Sequence, residues 1–396
     1  MEDKNNNKKN FYTLMLGRLG SSSGIGLYKF IGNSFLSGVG NGAFIWVSIF
    51  QGSETVFSIL FNLLGGAYSD RVNRRKLLIV TDFIGMMLIF TLILFVHDFG
   101  DLGFVLVNIG LIIINAFNYP TYKAIAVEAI GKRLIGKYNA YSKGLTQVIS
   151  MVIPAIGVWL INFYNLKIAL LVNGLLFGVA TIFNLLVTTN DESVPIVSEK
   201  NKSVYMDIKE GINYSFSDKN LRLIVIAISL VNFFIAGFEF FLPFSNELFN
   251  TVLSNSYSIF IITQSVAALC ASLVISNLEK TSLGQITKCI IPIGIGIFCL
   301  YLFKTSGVLS VLSVFLVGFF LALFNIVFFT YLQTDVPEKL QGRVISVVTT
   351  VSVCFAPLGT FTFSYLYSKL LIGILPIIGI SILLIGLCGT FIEKRD

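Results

Sequence analysis

The chain has 396 residues, of which 55% are hydrophobic, 14% aromatic and 12% charged. Soluble domains carry roughly 25% charged residues. Together with a mean hydropathy of +0.84, this composition excludes a water-soluble globule and describes a polytopic integral membrane protein. The net charge of +7 does not indicate nucleic acid, because the cations cluster in short segments between apolar runs, where they orient a chain in the bilayer.

Runs of roughly 20 apolar residues cross a bilayer, and reading them between charge and turn clusters predicts twelve helices. Lys4, Lys8 and Lys9 precede an apolar stretch too short, and too poor in small residues, for a cleavable signal, and are read as a cytoplasmic tail. The spans then fall at 12–36, 42–69, 77–97, 102–123, 138–163, 166–188, 221–244, 256–277, 285–304, 307–332, 344–367 and 370–391. Arg18, Lys29 and the Gly/Ser stretch Gly20 to Gly26 dilute the first span, and Gln51 and Glu54 the second. A rival division into 30–50 and 53–69 is set aside, because Ser37-Gly38-Val39-Gly40-Asn41-Gly42 is the better turn signal.

The second span runs into Gly66-Ala67-Tyr68-Ser69-Asp70-Arg71-Val72-Asn73-Arg74-Arg75-Lys76. With the amino terminus inside, the inner segments and the adjoining span ends hold 24 of the 28 Lys and Arg. The outer ones hold only Lys167, Lys304 and Lys369, while Lys29 lies within span one. That asymmetry predicts both termini in the cytoplasm. The longest polar stretch separates an N-terminal six-helix bundle, 1–188, from a C-terminal one, 221–396, through a central loop at 189–220. Val204, Ile208, Ile212 and Phe216 recur every fourth residue there, which predicts an amphipathic helix on the cytoplasmic face. The halves also echo each other. Ala116-Phe117-Asn118 corresponds to Leu323-Phe324-Asn325, Glu128 to Asp335, and Gly136-Lys137-Tyr138 to Gly342-Arg343-Val344. Duplicated six-span halves are typical of transporters that rock about a central site.

The segment from Gly66 to Lys76 resembles the loop 2–3 signature of the major facilitator superfamily: a Gly, three residues, Asp-Arg, then a basic cluster. Gly66, Asp70, Arg71, Arg74, Arg75 and Lys76 match, and Asn73 stands where Gly is more usual. The twelve-span count and long central loop extend the resemblance over nearly the whole chain. Gly17-Arg18, Asp82 and the Gly-Arg-Val at 342–344 are similar to bacterial macrolide-efflux-type permeases. The resemblance implies an all-α membrane fold of two pseudo-symmetric six-helix halves. It further implies a gate at loop 2–3, in which Asp70 faces the start of span eleven near Arg343, and Arg71 and Arg74 pair with Asp335 or Glu338 of the other half.

A charge within a span is costly and is a functional candidate by default. Glu54, in span two, is the first candidate for proton coupling, either paired with Lys29 or lining a cavity. Glu239, in Gly237-Phe238-Glu239-Phe240-Phe241, is the second, unless it sits at the outer water interface. Asp82, within two turns of the basic loop, is expected to be a structural partner of Arg74 or Arg75. Asn33, Gln147, Asn232, Gln264 and Asn325 either face the cavity or join helices by hydrogen bonds.

Cys270, Cys289, Cys299, Cys354 and Cys388 lie in or beside apolar runs with no CxxC, and His97 is the single histidine. Neither a disulfide frame nor a metal site is expected. An enzyme is not expected, nor an ATP-driven pump, since no P-loop occurs, nor a channel, since no repeated filter sequence occurs. No cofactor is expected. The reading is a monomeric secondary transporter, multi-pass in the bacterial plasma membrane, with protons, the lipid bilayer and a small-molecule substrate as partners. By resemblance it is a proton antiporter that exports a hydrophobic or amphipathic compound, such as a macrolide. The alternative is a facilitator-type carrier for a peptide, lipid, siderophore or metabolite.

Overall fold

The hydrocarbon core offers backbone N–H and C=O groups no water, so apolar runs of this length close their hydrogen bonds internally as helices. The structure is a computed structural model and describes residues 2–40, 42–69, 72–130, 132–188, 212–274, 283–337 and 340–393. The helices are α1 Glu2–Ser37, α2 Ala43–Ser69, α3 Arg74–Ile130, α4 Lys132–Phe163, α5 Leu166–Leu185, α6 Lys219–Phe241, α7 Ser256–Val274, α8 Leu283–Leu302, α9 Gly307–Asp335, α10 Gln341–Val353, α11 Ala356–Leu370 and α12 Ile374–Glu393. α3 comprises two spans that meet at Gly100, whose φ of 47° and ψ of −130° lie outside the helical basin. α10 and α11 are two pieces of one crossing, interrupted at Cys354 and Phe355 just before Pro357. Twelve crossings result, as in the expected all-α fold.

Helix ends depart from the expected boundaries where the chain leaves the apolar zone. Spans four and five run on to Ile130 and back to Lys132, so the expected loop carrying Lys132, Arg133 and Lys137 is helical. Hydropathy marks where a helix enters the bilayer, and the backbone continues its hydrogen bonds beyond that point. The break between the first two spans falls where the glycines predict it. Gly40 and Gly42 adopt φ of 86° and 97°, conformations that side chains disfavour, so the division at 30–50 does not occur. Of the expected amphipathic stretch, Val204 and Ile208 lie outside the described residues, while Ile212 and Phe216 sit exposed on the helical segment 212–217.

Among the described residues ten stretches are long and apolar enough to cross a membrane, the last of them, Val344–Thr390, taking in α10 to α12 and so two crossings. α1 is not among them, because Arg18 and Lys29 lower its hydropathy. It is the internal helix of its bundle instead, packed on α3, α4 and α5 with Leu14, Leu27, Tyr28 and Ile31 fully buried.

The chain divides into two compact units, Met1–Trp46 with Val56–Glu199, and Val47–Thr55 with Lys200–Asp396. In the first, the glycines that dilute span one are contact points. A Cβ on Gly20 would lie 2.9 Å from the Leu176 carbonyl oxygen, and one on Gly24 2.7 Å from the Phe177 ring. Small residues let membrane helices approach, and interhelical hydrogen bonds then add to dispersion. Asn10 donates from α1 to the carbonyls of Ala129 and Thr188 at 3.0 and 2.8 Å, and Asn173 donates from α5 to that of Gly24 at 2.6 Å.

In the second unit α12 lies on α8, α9 bridges α7 and α8, and α11 packs on α6. Phe240 and Phe244 gather around the Tyr367 ring, with centroids 5.9 and 4.7 Å from it. The tightest approach is at Gly359, where a Cβ would stand 2.0 Å from the Phe233 carbonyl oxygen. Backbone cannot yield there as a side-chain tip can. Gly359→Val should therefore destabilise the protein by at least the 1–3 kcal/mol, roughly, of ordinary overpacking. A lowered melting temperature in detergent checks this, and unchanged melting would show that α11 can move off α6.

Candidate functional site

Two buried polar clusters stand out, one in each unit. The one in the second unit contains both carboxylates expected to couple protons. Glu239 lies in the penultimate residues of α6, half-buried, beside the fully buried Phe238 and Phe240. Its Oε1 accepts from Gln264 Nε2 of α7 at 3.2 Å, and its backbone carbonyl accepts from Gln51 Nε2 at 3.5 Å. One turn after Gln51, Glu54 lies within electrostatic reach of Glu239, and the Tyr257 hydroxyl is within reach of both. Two carboxylates that close repel when both are charged, and a proton taken up by either relieves the repulsion. A site of two carboxylates, two amides and a phenol can therefore hold a proton, a cation or a hydrogen-bonding solute. Gln264 enters from the polar neutrals of the sequence. Tyr257 was not foreseen, since a tyrosine at a span end more often belongs to the interfacial belt.

The first unit holds a cluster that the sequence reading placed differently. Asp82 does not pair with Arg74 or Arg75. It is fully buried on α3 and accepts four hydrogen bonds from neutral donors. Oδ1 takes Ser21 Oγ at 2.9 Å and Asn118 Nδ2 at 2.8 Å. Oδ2 takes Tyr122 OH at 3.2 Å and Asn184 Nδ2 at 2.8 Å. Thr81 donates to Asn118 Oδ1, and Asn184 Nδ2 also donates to Tyr122 OH at 2.8 Å. Gly17 leaves room for this, as a Cβ there would lie 2.6 Å from Asn184 Oδ1. A buried carboxyl group must have its lone pairs satisfied, and donors from α1, the second span of α3 and α5 converge to do so. The four donors were missed because each alone is an ordinary polar residue in a span.

The basic cluster after α2 is partly described. Asp70 and Arg71 lie outside the described residues, as do the side chains of Arg343 and Glu338, and nothing is described at Gly66 beyond its helical backbone. Arg74, at the start of α3, pairs with Glu128 near its end at 3.2 Å. This bonds the start of one span to the end of the next within one unit. Arg75 Nη2 donates to the Leu185 carbonyl at 2.6 Å, where a cation satisfies the unpaired C-terminal oxygens of α5. Asn73 accepts from Lys76 N–H at 3.0 Å, which makes it an N-cap of α3 and accounts for an Asn where the signature usually has Gly. In the second unit the Tyr331 hydroxyl hydrogen-bonds Asp335 one turn on.

Asn33 and Asn325 donate to the carbonyls of Lys29 and Leu321 in their own helices, each at 3.0 Å. Asn232 joins α6 to α10 through the Ser352 carbonyl at 3.1 Å. Lys29 is half-buried on α1 and belongs to the first unit. Among the described residues no group of three His, Cys, Asp or Glu is placed to hold a metal ion.

The profile described as Major Facilitator Superfamily matches residues 11–360. No curated protein matches the sequence. Solved structures similar in fold include the nucleoside transporter NupG, at 15% identity and a TM-score of 0.73, covering 96% of this chain and 100% of that one. They also include the POT family transporter PepTSo, at 12% identity and 0.72, covering 98% of each. A D-xylose-proton symporter is similar at 14% identity and 0.71, covering 96% of each.

Proposed function

Because the chain belongs to the Major Facilitator Superfamily of membrane transporters, we propose that it couples proton movement to export of a small hydrophobic or amphipathic compound by alternating access. The observation that carries this reading is the pairing of Glu239 and Glu54 within one half-buried, aromatic-walled cluster in a membrane-crossing unit. Intramembrane carboxylates are costly to keep and mark proton relays or ion paths. A carboxyl group whose access to water alternates loads a proton from one side and releases it to the other. Glu239 becomes the leading coupling group, as it has both a fixed hydrogen-bond partner in Gln264 and a second carboxylate beside it. Glu54 is its partner, and macrolides are the first compounds to test.

The cytoplasmic gate rests on the motif Gly66, Asp70, Arg71, Arg74, Arg75. Asp70 follows α2 in the chain, and the resemblance implies that its carboxylate faces the positive amino terminus of a neighbouring helix. Asp70→Asn is expected to impair transport with membrane insertion intact, checked by uptake into vesicles holding matched amounts of protein. Normal transport would remove the gate from the reading. The alternative cargo, a polar solute such as a peptide or metabolite, is favoured by the amides of Gln51 and Gln264 beside Glu239.

Proton movement in proteoliposomes decides between these readings. Macrolides, lipophilic cations, dipeptides and nucleosides are added in turn, with and without an imposed pH gradient. Proton efflux from the lumen coupled to uptake of a lipophilic compound supports antiport. Co-movement of protons with a polar solute supports the alternative, and no flux with any compound, in protein shown to be folded, argues against proton coupling.

A further inference from the structure

The second unit also holds an apolar groove, formed where the first half of α6 meets α8 and α12. Leu223, Ile226 and Leu230 of α6, Ile290 of α8, and Leu384 and Cys388 of α12 bound a space of about 310 Å³. The polar lining residue Thr287 donates to the Gly284 carbonyl of its own helix at 3.2 Å, which leaves the walls hydrocarbon.

Packing explains why the groove exists. α12 is drawn onto α8 by glycines: a Cβ on Gly294 would lie 2.6 Å from the Gly379 carbonyl oxygen, and one on Gly389 2.5 Å from the Thr287 side chain. α6 is held instead by α11, through the close approach at Gly359. The wedge between them opens outward, with Ile226, Leu230 and Leu384 each two-fifths or more exposed. In a bilayer that surface faces lipid. An empty slot there would forfeit dispersion contacts along its whole lining.

The groove begins at one membrane face, where α6 and α8 start and α12 ends. From Leu223 to Leu230 it extends about 10 Å along α6, at a rise of roughly 1.5 Å per residue. Cations stand at this mouth. Lys219 is one turn before Leu223 and Arg222 is one turn before Ile226, and both are exposed. Asp218, the carboxylate next to them in the chain, caps α6 by accepting from Leu221 N–H at 2.8 Å. Basic clusters beside apolar clefts between spans suit anionic headgroups.

We propose that this groove holds one acyl chain of an anionic phospholipid, with its phosphate at Arg222 and Lys219. The reading needs only a protein that crosses the membrane, so it stands or falls separately from proton coupling. Cys388 in the groove wall is the reporter, and the exposed Cys354, between α10 and α11, is the control. Full-length protein in neutral detergent is titrated with phosphatidylglycerol, phosphatidylcholine or inorganic phosphate, and maleimide labelling of both cysteines is followed by peptide mass spectrometry.

Phosphatidylglycerol should slow labelling of Cys388, and not of Cys354, about fivefold more than phosphatidylcholine does, the advantage of roughly one cation at an anionic headgroup. Inorganic phosphate should have no effect, and K219Q/R222Q should bring phosphatidylglycerol down to the phosphatidylcholine level. Equal protection by the two lipids would mean a neutral hydrocarbon slot and would overturn the headgroup assignment. Protection by neither, or protection by inorganic phosphate alone, would overturn the site. The lipid comparison on unaltered protein decides the matter even where the double variant fails to fold.

Discussion

Glu239→Gln should abolish uphill transport while sparing exchange of substrate down its gradient. The amide has the same volume and keeps an oxygen for Gln264 Nε2, 3.2 Å away in the unaltered protein, so the fold and the bound state should survive. It cannot take up a proton, and an intramembrane proton relay without its titrating group leaves the concentration ratio of a neutral substrate at about 1. Substrate counterflow in proteoliposomes, alongside accumulation under a pH gradient, separates the two effects. Glu54→Gln serves as the comparison, because the two carboxylates lie within electrostatic reach. Should the Glu239 variant still accumulate substrate while the Glu54 variant does not, coupling belongs to Glu54. Full accumulation in both would end the carboxylate reading.

Asp82→Ala is expected to be the most destabilising single change in the first unit. It strands donors from Ser21, Asn118, Tyr122 and Asn184 at a position with no exposure. Interhelical hydrogen bonds in membranes average only about 0.6 kcal/mol, but this oxygen pair is the common acceptor for several helices. Each buried donor left unsatisfied costs about 1–3 kcal/mol, and alanine strands several at once. Asp82→Asn should cost less, roughly 1–3 kcal/mol, since it keeps one acceptor oxygen and turns an NH2 group toward the remaining donors. Thermal unfolding in detergent orders the variants: unaltered protein, then Asn, then Ala. An alanine variant that melts with the unaltered protein would mean that water enters the cluster and replaces the carboxylate.

Membrane residence and the helix count were legible because they follow from long apolar runs that must satisfy their own backbone. The break at Gly38 to Gly42 and the turn near Gly100 were legible too, because positive φ leaves a sequence signature in glycine. Helix ends were less so. The extension through Lys132 is polar, and hydropathy is blind to helix outside the bilayer. Among the candidate residues, Glu239 and Glu54 could be named from their cost in a span, yet their proximity across nearly two hundred residues of sequence could not. Asp82 shows the opposite error. Nearness in sequence to Arg74 and Arg75 suggested an ion pair, but its position on α3 turns it inward to Ser21, Asn118, Tyr122 and Asn184. Arg74 instead reaches Glu128, at the far end of the next span.

The sequence by itself determined that this chain lives in a bilayer as a bundle of apolar helices, because burial of hydrocarbon and closure of backbone hydrogen bonds act on each segment alone. Only the tertiary structure decided which polar side chains meet. A residue's partners in a helical bundle lie on other helices, and helix-to-helix register is set by glycine contacts such as Gly20 on Leu176 and Gly359 on Phe233, which no single segment encodes.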